Sequence, residues 1–106
     1  MKNRSGAAQP DDDEIVHALL EKAEAGHTVA ELIRALIDML ELAPDDDGRY
    51  PSFPMHRYFV AAFGVSLRST FDVALWHGFV SGTYSDEEVE RLFGPTLRAS
   101  LNAGER

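Results

Sequence analysis

The chain contains no cysteine, and that absence excludes disulfide staples, thiolate metal ligands and a cysteine nucleophile together. Long apolar runs are missing too. No stretch approaches the ~20 apolar residues of a membrane-spanning helix, and the opening MKNRSGAAQPDDDE lacks the apolar middle of a signal peptide. Positive charge is scarce: 18 acids face 10 bases, for a net charge of −8. Such a surface repels phosphate backbones, which disfavours nucleic-acid binding and favours a basic partner. A cytoplasmic protein engaging neither nucleic acid nor membrane is expected. Phosphate-cradling glycine loops are also absent, since neither GxGxxG nor GxxxxGK followed by Ser or Thr occurs.

What is present is the composition of one folded unit. The 106 residues are 44% hydrophobic and 26% charged, enough for a single core that buries roughly 60 to 70% of the unfolded chain's surface. Residues 1–10, small and polar up to Pro10, read as a disordered leader, 11–102 as one helical domain, and 103–106 as a frayed tail.

Capping signals and 3.6-residue periodicity predict the elements. Acids at 11–14 complement the positive end of a first helix, about 12–25, with Ile15, Val16, Leu19, Leu20 and Ala23 on one face and a stop at Gly26. Thr28 and Glu31 form a capping box for a second helix whose stripe is Val29, Leu32, Ile33, Leu36, Ile37 and Leu40. The short Gly26-His27 turn makes the pair, over 12–42, an antiparallel hairpin. APDDDGRYPSFP is the major loop. A third helix, about 54–63, carries Met55, Tyr58, Phe59, Ala62 and Phe63 and ends at Gly64. Ser66 caps a fourth, carrying Leu67, Phe71, Ala74 and Leu75. HGFVSGTY breaks it and leaves room for a short β-hairpin. Ser85 with Glu88 caps a fifth helix bearing Val89, Leu92 and Phe93; Gly94-Pro95 interrupts it, and Leu97 and Leu101 belong to a short last helix. The expectation is an all-α single small domain of five or six short helices beginning with the antiparallel hairpin.

Sites of bond-making chemistry find little support. His17, His27, His56 and His77 lie on separate segments with no pair at i, i+3 or i+4, so no metal site is expected. With Gly48 at the sixth position of a calcium loop, Ala43 and Pro54 occupy the first and twelfth, where ligands are required. Ser69, Asp72 and His77 are close in sequence but lack a nucleophile turn or oxyanion loop. No cofactor is expected.

Two distributions remain to be explained. Residues 50–79 hold five of the six Phe, two of the three Tyr and the one Trp, with Asp72 as the only acid. Tyr58, Phe59 and Phe63 are spaced as core residues, whereas Trp76, Phe79 and Tyr84 surround a glycine-broken turn, where they either close the core or stand as exposed anchors. Eleven of the eighteen acids fall at 11–14, 45–47, 86–88 and 90. The first and last clusters are explained by helix capping, but Asp45, Asp46 and Asp47 have no helix to cap and suggest long-range steering of a partner.

Tyr58-Phe59, Ala62-Phe63-Gly64, Leu67-Arg68, Trp76, Ser85-Asp86-Glu87-Glu88 and Leu92 ahead of Pro95 follow a pattern that resembles small bacterial immunity proteins, especially those guarding against contact-dependent growth inhibition toxins. The resemblance spans about residues 57–97. It implies a cytoplasmic inhibitor without enzymatic activity that binds a cognate toxin one-to-one and is often acidic when the toxin is a basic nuclease. The expected binding surface is Asp45, Asp46, Asp47, Asp86, Glu87, Glu88 and Glu90, with Trp76, Phe79 and Tyr84 as apolar anchors. Alternatives are a helical regulatory adaptor and a small enzyme acting through His56, His77 or Asp72.

Overall fold

A computed structural model describes residues 11–103. The leader expected at 1–10 and the tail at 104–106 lie outside the described residues. Among the described residues there are five helices: α1 (Asp12–Glu24), α2 (Val29–Leu40), α3 (Phe53–Phe63), α4 (Leu67–Ala74) and α5 (Asp86–Ala103). Helix α1 packs on α2 and α3, α2 on α5, α5 on α4, and α4 back on α3, so the five close into a ring. Helices α3 and α5 also meet across its centre, where the Phe59 and Phe93 rings lie 5.9 Å apart.

Local chemistry fixes the first three helices. Asp11 and Glu14 form a reciprocal capping box on α1, so two of the four leading acids act on the backbone rather than only on the helix dipole. A third, Asp12, accepts from Arg57 and from Tyr58, tying α1 to α3. Thr28 and Glu31 cap α2 as predicted. Gly64 ends α3 at φ 67°, in the left-handed region where a Cβ is unfavourable. Ile15, Leu19, Ala23, Leu32, Ile33, Leu36, Met55, Phe59 and Phe63 are buried together, as their periodicity requires.

Helix α4 departs from its expected stripe. Ser66 caps it, but Thr70 and Val73 face the core while Leu67 and Phe71 point outward. Burying a threonine is tolerated because its hydroxyl donates to the Leu67 carbonyl at 2.6 Å. Val73 supplies the apolar contact that a helix of eight residues can offer on one side.

The break expected at Gly94-Pro95 is also absent, so α5 is one helix and the separate last helix does not exist; Ala103, expected to fray, is its last residue. Proline cannot donate to the Arg91 carbonyl four residues back, but both residues are exposed, so water can take that bond. Phe93 and Leu97 are buried on either side in one core, and Arg98 donates to Glu90 at 2.9 Å across the interruption. No β-hairpin forms at 77–84. Single parallel bridges pair Tyr50 with Phe79 and Trp76 with Tyr84, fastening the major loop to the α4–α5 connection. Gly78 and Gly82 are required there: a Cβ would lie 2.1 Å from the Trp76 ring at the first and 1.8 Å from the Trp76 carbonyl oxygen at the second.

Candidate interaction surfaces

The residues expected to form one acidic and aromatic face separate into three groups. Trp76 and Phe79 are core residues, 4% and 1% exposed, with their rings 5.4 Å apart, so neither is an exposed anchor. Tyr84 is half-buried, packed against the core. The alternative reading of these aromatics is the correct one: they close the end of the ring of helices.

Asp86 makes that closure polar at its edge. Trp76 Nε1 donates to its Oδ1 at 2.7 Å, His77 Nε2 to the same oxygen at 3.1 Å, and Arg34 Nη1 to Oδ2 at 3.1 Å. The Arg34 guanidinium also lies 5.1 Å from the Trp76 ring centroid. One carboxylate thus joins α2, the α4–α5 connection and α5. The indole N–H, helped by Arg34 and His77, holds the Asp86 pKa below its ordinary 3.8 against the opposing effect of burial. An acid stabilised as its anion by three donors is a weak base.

Glu88 and Glu90 are likewise committed to structure. Glu88 accepts from the Ser85 amide at 2.7 Å while Ser85 Oγ accepts from the Glu88 amide at 3.1 Å, completing the predicted capping box. Glu90 Oε1 accepts from the first amide of α2, Val29 N, at 2.8 Å, and Oε2 accepts from Arg98. Gly94 makes this reach feasible, because a Cβ there would lie 2.6 Å from Glu90 Oε2. The sequence carries no signal for this contact, whose partners are 61 residues apart.

Three expected residues are left as outward carboxylates: Asp46, Asp47 and Glu87 are exposed, with no side-chain partner among the described residues. Asp45 is exposed but shapes the loop, accepting from the Asp47 amide at 2.9 Å and the Arg49 amide at 3.0 Å through one oxygen. The loop is joined to the Asp86 cluster through Tyr50, which receives the Val80 amide at 3.1 Å and donates to Gly78 O at 2.8 Å. Asp38, Tyr50, Trp76 and Arg34 line a shallow cleft between them. Asp38 and Asp86 thus lie near the Asp45–Asp47 loop, with Arg34 and Arg49 among them, whereas Glu87 lines a separate cleft with Thr28, Asp86, Glu90 and Arg91. Arg49 donates to Val80 O at 3.0 Å, setting the half-exposed Val80 beside the acidic loop.

A second surface was not anticipated. Phe53, Leu67 and Phe71 are 73%, 55% and 56% exposed on α3 and α4. Phe53 and Leu67 line a shallow cleft with His56, Arg57 and Val60, and the His56 ring is 5.3 Å from that of Phe71, so the patch is continuous. Periodicity placed Leu67 and Phe71 on one helix face correctly but could not say which way that face turns.

Groups considered for catalysis are held apart. Ser69 Oγ donates to Ser66 O at 2.8 Å, and His77 pairs with Asp86 rather than Asp72. His56 Nδ1 lies 2.6 Å from Thr70 Oγ1, and burial lowers its pKa from the ordinary 6.5. Among the described residues no three His, Asp or Glu converge as metal ligands, and no helix is long and apolar enough to cross a membrane. In comparisons with known proteins the chain matches no family model, no curated protein and no solved structure.

Proposed function

We propose that this protein is an immunity protein that binds a basic toxin domain, of the contact-dependent growth inhibition type, through its acidic end. One observation carries the reading: Asp46 and Asp47 are exposed, with no side-chain partner among the described residues, on a loop fixed by Asp45 and Tyr50. Keeping unpaired like charges close together opposes folding, so their presence is better accounted for by a cation that arrives from outside. The steering charges lie on a preformed loop, which limits the ordering cost of association. Val80 provides an apolar contact beside them in place of Trp76 and Phe79. If the toxin is a nuclease, the row of carboxylates occupies the place of a phosphate backbone.

Testing this requires leaving Asp45 intact, since its carboxylate builds the loop. The double variant Asp46→Asn/Asp47→Asn is expected to associate about tenfold more slowly with the toxin encoded beside this gene at low salt, with a flatter salt dependence. Stopped-flow binding reads the rate, and coexpression with the toxin reads rescue of growth. Unchanged association kinetics would remove steering; failure of the wild-type chain to rescue growth would remove the immunity reading.

A further inference from the structure

We propose that the outer face of α3 and α4 is a self-association surface, on which a second copy of this chain docks about a two-fold axis. Three side chains as exposed as Phe53, Leu67 and Phe71 present roughly 300 to 400 Å² of contiguous apolar surface, the scale at which patches mark association rather than scattered exposure. That patch, rimmed by Arg57, Val60, Arg68 and Asp72, is smaller than the ~800 Å² per partner of a standard interface, which suits a weak, reversible dimer.

Charge identifies the occupant. The chain carries −8 overall, so two copies repel wherever their carboxylates meet. Residues 50–71 contain no acid, and they include all of α3 and most of α4. The acids that border this face, Asp12 held by Arg57 and Tyr58, and Asp72 one turn from Arg68, lie at its rim, so the apolar centre meets a second copy without a carboxylate.

Arg68 and Asp72 add self-complementarity. They are exposed and one turn apart on α4, beside the Leu67–Phe71 column. A two-fold axis crossing α4 near the level of residue 70 runs the two helices antiparallel. It sets Arg68 against Asp72 of the partner subunit, and the reciprocal pair against each other, while the Phe71 rings close between them. Isologous contact requires this kind of self-matching surface. The face is distinct from the acidic end, so the proposal stands or falls independently of the immunity reading.

Sedimentation velocity of the full chain, from about 5 to 500 µM, tests it. Wild type is expected to pass from monomer to dimer over that range, more readily at high salt because screening weakens the repulsion between copies. Phe71→Glu and Arg68→Asp should each raise the dissociation constant at least tenfold. The swap Arg68→Asp/Asp72→Arg should restore dimerisation to within a few-fold of wild type. All three positions are exposed, and unchanged circular dichroism and melting temperature will establish that the variants fold. A wild-type chain that stays monomeric at every concentration overturns the proposal, including the case in which the patch serves an unrelated acidic protein. So does dimerisation unaffected by Phe71→Glu, or a swap that remains monomeric.

Discussion

At the scale of single residues, the fold uses its charges to fasten elements, and the pKa directions show which groups bear on stability. Folding favours the Asp86 anion, so its contribution is whole above the ordinary 3.8 and is lost as pH falls through the lower folded value. Burial favours neutral His56, so its contribution is whole above 6.5 and is lost as pH falls below that. Urea unfolding across pH should separate the two. Asp86→Asn is expected to lower stability at pH 7 by about 1 kcal/mol, a figure reduced for a carboxylate more than one-third exposed, and to lessen the loss below pH 4. His56→Gln should leave the acid limb alone and reduce the slope between pH 7 and 5. A wild-type stability that is flat from pH 7 to 5 would contradict the role given to His56.

At the scale of elements, what was legible in the sequence is what local chemistry decides. The boundaries of α1, α2 and α3 followed from Thr28 with Glu31, from Gly64 and from the apolar stripes, because caps and periodicity act within a few residues. The α4 orientation was hidden because Thr70 is polar by type and becomes a core residue only through its bond to Leu67 O. Continuity of α5 was hidden because Gly94-Pro95 signals a break locally, whereas Gly94 answers to a contact between α5 and α2. The candidate site was half legible for the same reason: the acidic runs were visible, but which acids cap, clamp or stay free depends on partners distant in sequence. Gly→Ala in a helix normally stabilises by about 1 kcal/mol, but here the new methyl displaces Glu90 from Val29 N and Arg98. Chemical denaturation should show no gain for Gly94→Ala alone and recover the ~1 kcal/mol in a Glu90→Ala background. Equal gains in both backgrounds would mean that Gly94 is not there for Glu90.

At the scale of the whole molecule, the acids that structure uses and the acids it leaves outward predict different responses to salt. Asp11, Asp12, Glu31, Glu88 and Glu90 bind amides or cations at short range, where screening matters little. Asp46 and Asp47 have no side-chain partner among the described residues, adjoin Asp45 with Arg49 as the loop's one cation, and belong to a chain of net charge −8, so the repulsion they feel is long-ranged and screened. Raising NaCl from about 20 to 500 mM should therefore raise the melting temperature of the wild-type chain, measured at dilutions where it is monomeric. Asp46→Asn/Asp47→Asn should begin a few tenths of a kcal/mol more stable at low salt and gain less from added salt. The same substitutions that slow capture of a basic partner would then stabilise the isolated fold, the relation expected when charges are kept for binding. If the double variant is instead less stable at low salt, Asp46 and Asp47 support the loop as Asp45 does, and the acidic end loses its claim to be a surface held ready for a partner.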